Sequence, residues 1–170
     1  MRKIILMFLI LISFNCESTK KNISETQNWI NSQNFTVIKP QNWRAIKHHG
    51  YVGYTPFKKG DNFFNNLVSI FQFKLKEKPK FEEFVEDQIK LFEKTLNISS
   101  QEILTEKNDF GNIYILNSET TWNGKEYKQK TIYIEHKGEY YYYNYSSLKE
   151  YYTKYYDDAI SIFQSIKFKL

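Results

Sequence analysis

Tyr140-Tyr141-Tyr142-Tyr143-Asn144-Tyr145 is the stretch from which the fold can be read. In a β-strand, successive side chains point to opposite faces. This run therefore puts tyrosine on both faces, and both faces need cover. Leu67-Val68-Ser69-Ile70-Phe71-Gln72-Phe73 and Ile113-Tyr114-Ile115-Leu116 have the same character. A strand covered on one side only alternates apolar with polar residues. These strands are expected in the middle layer of a three-layer molecule.

The neighbouring sequence supplies the rest of the sheet. Asn123-Gly124 separates a predicted strand over 113–122 from another over 127–136. That dipeptide is a strong hairpin signal, because a type I′ turn needs positive φ at two successive residues. Lys137-Gly138 turns the chain again into a strand over 140–146, completing an antiparallel meander. Further strands are predicted over 35–40, 45–48, 51–56, 67–73 and 102–106, with a short terminal one over 166–170.

Two amphipathic helices are available as covering layers. Phe81, Phe84, Val85, Ile89, Phe92 and Leu96 follow the three-four spacing of one buried face. Glu82, Glu83, Glu86 and Asp87 crowd its first turns, where they complement the helix dipole. The same residues read as a solvated acidic face rather than a calcium surface. Ser147-Leu148-Lys149-Glu150 reads as a capping box opening a second helix. Leu148, Tyr151, Tyr155, Ala159, Ile162 and Phe163 then mark its apolar face, with Asp157-Asp158 toward solvent. The expected fold class is α+β: a three-layer α/β/α sandwich, its antiparallel sheet carrying helices on both faces.

The N-terminus has a different character. Arg2 and Lys3 precede an apolar run that begins at Ile4 and ends near Leu11, the n- and h-regions of a secretory signal. The run is too short for a membrane-spanning helix, which needs about 20 apolar residues. Ser13-Phe14-Asn15-Cys16 resembles a bacterial lipobox, with Ser13 and Asn15 where leucine and a small residue are usual. The resemblance implies cleavage before Cys16 and acylation of its thiol and amino group. Cys16 is the only cysteine, and an odd thiol in a secreted chain needs an explanation that lipidation provides. Glu17 follows it instead of aspartate, the inner-membrane retention residue, which favours the outer membrane. The expected organisation is a leader over 1–15, a lipidated Cys16 with a flexible polar tether over 16–34, and one domain over 35–170.

Composition fits a packed, strand-rich domain. Aromatic residues make up 18% of the chain while glycine and proline are scarce, which excludes disorder. The formal charge of +5 falls by two without Arg2 and Lys3, too mild to imply nucleic acid.

The order of elements resembles the PsbP-like family, in particular its envelope lipoproteins of the DcrB and LpqN type. The resemblance rests on a first strand running into Pro40 and Trp43 and on Asn66-Leu67-Val68-Ser69-Ile70. Gly111 before a long strand carries it further, as do Tyr140-Tyr141-Tyr142 followed by Ser146, and the closing Ser165-Ile166-Lys167-Phe168. It implies an α/β/α sandwich and binding or assembly work without catalysis.

Residue chemistry points the same way. His48 and His49 are neighbours on a predicted strand and point to opposite faces, so a shared metal ion is not expected. Nucleophile elbows and phosphate-binding loops are absent from the sequence. No cofactor is expected, and His48, His49 and Glu135 are the first residues to test for catalysis. Tyr140, Tyr141, Tyr142, Tyr143 and Tyr145 divide between sheet packing and a binding surface, since tyrosine offers contact area with a polar edge. The expected function is a membrane-anchored, non-catalytic module that docks an envelope protein. The alternative is a periplasmic small-molecule or glycan binder using the tyrosines.

Overall fold

The computed structural model of the protein describes residues 27–48 and 50–169. The expected leader, Cys16, the tether up to residue 26, and His49 lie outside the described residues. Residues 27–31, expected as flexible tether, are helical. Ser32 and Gln33 close that turn, both side chains donating to the Trp29 carbonyl at 2.7 and 3.0 Å. The compact unit that holds the sheet begins at Asn34.

In chain order that unit contains β1 (Phe35–Thr36), β2 (Arg44–His48), β3 (Tyr51–Thr55), a 3-10 turn (Phe63–Asn65) and β4 (Asn66–Gln72). Then come α1 (Phe81–Thr95), β5 (Asn97–Asn108), β6 (Gly111–Trp122), β7 (Lys125–His136) and β8 (Glu139–Leu148). It closes with α2 (Lys149–Gln164) and β9 (Lys167–Phe168). Seven strands form one antiparallel sheet in the order β2-β3-β4-β8-β7-β6-β5, and β1 pairs with β9 separately. The expected first strand over 35–40 is shortened to two residues, because its only strand neighbour is the two-residue β9.

Register explains the three layers. Phe71, Tyr142, Tyr133 and Tyr114 form one row across β4, β8, β7 and β6. Ile70, Tyr143, Ile132 and Ile115 form the adjacent row, which faces the other way. Helix α1 covers the first face. Phe81, Phe84, Val85 and Ile89 join Leu116, Tyr133 and Tyr140 in a buried cluster. Helix α2 covers the second, with the Phe163 ring 5.2 Å from that of Tyr143. The α+β sandwich with helices on both faces is therefore the observed architecture.

The expected capping box at Ser147 does not form. Ser147 is fully buried at the end of β8, where its hydroxyl accepts from Asn66 Nδ2 at 2.9 Å. Helix α2 begins instead after Leu148, without a side-chain cap. Nor is Asp158 simply solvated, because its carboxylate accepts the indole N–H of the buried Trp43 at 2.9 Å.

Candidate functional site

The tyrosines of β8 sort by parity. Tyr140 points to α1, lies 5.1 and 5.0 Å from the rings of Phe81 and Phe84, and donates to the Pro79 carbonyl at 2.6 Å. Tyr143 and Tyr145 point to α2 and donate to the carbonyls of Ala159 and Tyr152 at 2.7 and 2.8 Å. Tyr141 meets Phe168 at 4.3 Å. Tyr140, Tyr141, Tyr143 and Tyr145 are all buried. The exposed tyrosine surface entertained for 140–145 is therefore corrected to core, because the two helices run over the middle of the sheet. Tyr142, half-buried, is the member of the group that reaches a cleft.

Burial also sets their acidity. It pushes Tyr142 and Tyr145 up to about 12, against hydrogen bonds that partly offset it, and raises Tyr143 well above the usual phenol value. A phenol whose folded pKa is raised adds stability that is fully present below pH 10 and lost as pH climbs through its folded value. The domain is expected to unfold cooperatively between pH 10 and about 12, with tyrosinate absorbance and far-UV circular dichroism changing together. Tyrosinate forming smoothly from pH 10 with the dichroism unchanged would contradict this.

Two predominantly apolar clefts lie beside the C-terminal end of α1. One cleft of about 350 Å³ is lined by Phe64, Leu96, Thr120, Trp122, Tyr127, Gln129 and Ser146. Phe64 comes from the 3-10 turn before β4, Leu96 from the end of α1, and Trp122 from the tip of the β6–β7 hairpin. Trp122 lies 6.2 Å from both Phe64 and Tyr127, at an edge-on angle to the first. It remains 46% exposed, unusual for the largest side chain in the set. Along the same helix runs a second cleft of about 410 Å³, lined by Tyr51, Phe71, Phe73, Leu91, Tyr142 and again Leu96, among others. Leu91 is exposed on its wall.

The Phe64–Trp122 cleft lies at the end of the sheet where β4 starts, and the second cleft reaches Phe71 and Phe73 at the finish of that strand. Asn34, the first residue of the folded unit, donates to Gln72 at the finish of β4. Phe64 precedes the start of β4, seven residues away along an extended strand. At about 3.3 Å per residue, the Phe64–Trp122 cleft stands roughly 20 Å from where the chain joins the sheet.

Glu119 binds Lys128 at 2.9 Å and Lys149 at 3.2 Å, and these lysines hold its carboxyl below the usual range. The tyrosines lining the clefts have their pKa raised by burial, so they are neutral donors at physiological pH. The cleft chemistry is apolar and aromatic contact with amide and hydroxyl edges, suited to binding.

The residues first considered for catalysis are dispersed. Glu135 on β7 accepts from Asn112 Nδ2 at 3.1 Å, and His48 ends β2 at the edge of the sheet. Among the described residues no group of three or more His, Cys, Asp or Glu is placed to hold a metal ion. None of the described helices is long and apolar enough to cross a membrane. Sequence reasoning missed Phe64, Leu96, Trp122 and Tyr127 as a site. Trp122 beside the Asn123-Gly124 turn was the available signal, a large apolar residue at a hairpin tip.

No protein-family model and no curated protein sequence matches the chain. Solved structures do match. LpqN, involved in cell envelope biogenesis of Mycobacterium tuberculosis, aligns with a TM-score of 0.63 at 15% identity, over 80% of this chain and 83% of LpqN. The cyanobacterial PsbP of Synechocystis aligns with a TM-score of 0.53 at 9% identity, over 79% of this chain and 86% of its own. At such identities the likeness concerns fold. The chain has the fold of the PsbP-like proteins.

Proposed function

We propose that the chain is a cell-envelope lipoprotein, anchored through acylated Cys16 in the outer membrane, that acts as a non-catalytic module docking an envelope protein. The observation that carries the docking role is the aromatic cleft around the exposed Trp122. An exposed tryptophan beside a preformed apolar wall is the composition of an interface hot spot. The leader sequence supports the anchor. The LpqN likeness supports an envelope setting. A second reading, a glycan or other small ligand in the same cleft, draws on Gln129, Thr120 and Ser146 beside the aromatic rings.

The test uses the full chain with a C-terminal tag, cross-linked in cells and fractionated. Cys16→Ser is expected to abolish acyl labelling and move the protein from the membrane to the soluble fraction. Trp122→Ala is expected to weaken capture of a reproducible partner by roughly 30-fold, a hot-spot effect of about 2 kcal/mol, with thermal stability little changed. Labelling that persists in Cys16→Ser would remove the anchor from the proposal. A partner retained by Trp122→Ala would remove the cleft, and thermal shifts with envelope sugars but no captured protein would favour the second reading.

A further inference from the structure

The two edges of the main sheet are treated differently. Edge strand β2 has five residues and carries Arg44 and Lys47. Short, charged edges resist pairing with other chains. Edge strand β5 has twelve residues and no proline. Its residues 99–107 are exposed without interruption, with Gln101 alone reaching a helix, donating to Glu93 of α1 at 2.6 Å. Within the run, Ile103 is 46% and Leu104 41% exposed. Being adjacent on a strand, they present one apolar side chain on each face. A register shift between Ile98 and Ser100 ends the regular ladder at the start of β5.

We propose that β5 is a homodimerisation edge, pairing antiparallel with β5 of a second copy about a two-fold axis at Ile103. A two-fold antiparallel pair is isologous, so each residue meets its mirror position about the axis. The axis at Ile103 bisects the exposed run 99–107 and sets Ile103 against Ile103. Leu104 then faces Glu102 of the other copy, Thr105 faces Gln101, and Glu106 faces Ser100. No like charges are directly opposed. Both adjacent centres, and the one at Thr105, fare worse. An axis at Leu104 opposes Glu102 to Glu106 twice, and one at Glu102 opposes that residue to itself, arrangements that destabilise a sheet. An axis at Thr105 sets Leu104 against Glu106 and Ile103 against Lys107. An axis at Gln101 would run the pairing into the register shift between Ile98 and Ser100, so charge, apolar pattern and strand regularity together favour a second copy centred at Ile103. Pairing extends the sheet through both molecules and satisfies the outer backbone groups of β5 in each.

Pairing through β5 is independent of docking at the cleft, and one set of variants separates the two. Ile103→Cys is introduced into the full chain, and isolated membranes are treated with a short thiol-specific cross-linker. A homodimer band is expected for Ile103→Cys and not for Lys59→Cys, whose residue lies in the exposed loop after β3. The parent chain reports on Cys16, the only other thiol: a band there argues against acylation and leaves the edge proposal to the second measurement. That measurement is sedimentation equilibrium of the chain from residue 16 with Cys16→Ser, where Ile103→Lys, a change at an exposed position, is expected to convert dimer to monomer. A parent that is monomeric at every concentration overturns the proposal. So does a dimer that Ile103→Lys leaves intact, or an Ile103→Cys variant that cross-links only to a protein of different mass.

Discussion

Gly111→Ala is expected to destabilise the folded domain by about 3 kcal/mol or more, a large part of the roughly 5–15 kcal/mol that holds most domains together. Gly111 begins β6 with φ of +124°, a conformation that residues with a side chain rarely adopt. An added Cβ would also sit 2.2 Å from the Glu135 carbonyl oxygen. That oxygen belongs to β7, whose Glu135 pairs with Asn112 next along β6. The backbone cannot retreat without breaking register between two twelve-residue strands. Gly124 and Gly138 provide the contrast. Both have positive φ, near +70°, but an added Cβ would meet nothing within 4 Å. Alanine there should cost about 1 kcal/mol, the left-handed backbone penalty alone. Urea denaturation of the chain from residue 16 with Cys16→Ser measures all three. Equal midpoint shifts for Gly111→Ala and Gly124→Ala would show that the contact with β7 is not what matters at Gly111.

The parts of the fold legible in the sequence are those where one periodicity acts alone. Helix α1 shows its buried stripe plainly because its opposite face is acidic and solvated. The meander shows because Asn123 and Lys137 each precede a glycine and adopt positive φ. Strand β5 was predicted at less than half its length. Its residues 99–107 are exposed on both faces, so polar residues stand at both parities and alternation vanishes. Ser147 misled because a capping box is a local pattern, and a tertiary partner prevailed. The carbonyl of the same Asn66 accepts from the buried Thr55 hydroxyl at 2.7 Å, tying that corner to β3 as well. The aromatic cleft was not legible for a related reason. Phe64, Leu96 and Trp122 come from a turn, a helix end and a strand end that only the sheet brings together, and no spacing in the chain records that meeting.

Trp43→Ala is the other substitution expected to act strongly, costing about 3–5 kcal/mol. Trp43 is among the largest fully buried side chains, at 1% exposure, although it lies in irregular chain just before β2. Its ring stands edge-on to Tyr155 at 6.2 Å, and the Trp43 backbone N–H donates to the Pro40 carbonyl at 3.0 Å. Nearby, the Ser165 hydroxyl bonds both the N–H and the carbonyl of Ile38, at 2.9 and 3.1 Å. Together these hold the segment between β1 and β2 against α2. Trp43→Phe keeps most of the buried ring but removes the indole donor to Asp158, so it should cost less, about 1.5–3 kcal/mol. A loss below about 1 kcal/mol for Trp43→Ala would mean that the segment does not support α2. The two tryptophans then separate stability from docking. Trp43 is buried against α2, whereas Trp122 is exposed on the face that carries α1. Trp43→Phe should lower the urea midpoint while partner capture persists, and Trp122→Ala should do the reverse. Capture lost in both variants while both stay folded would mean that the partner reads the whole sandwich rather than the cleft.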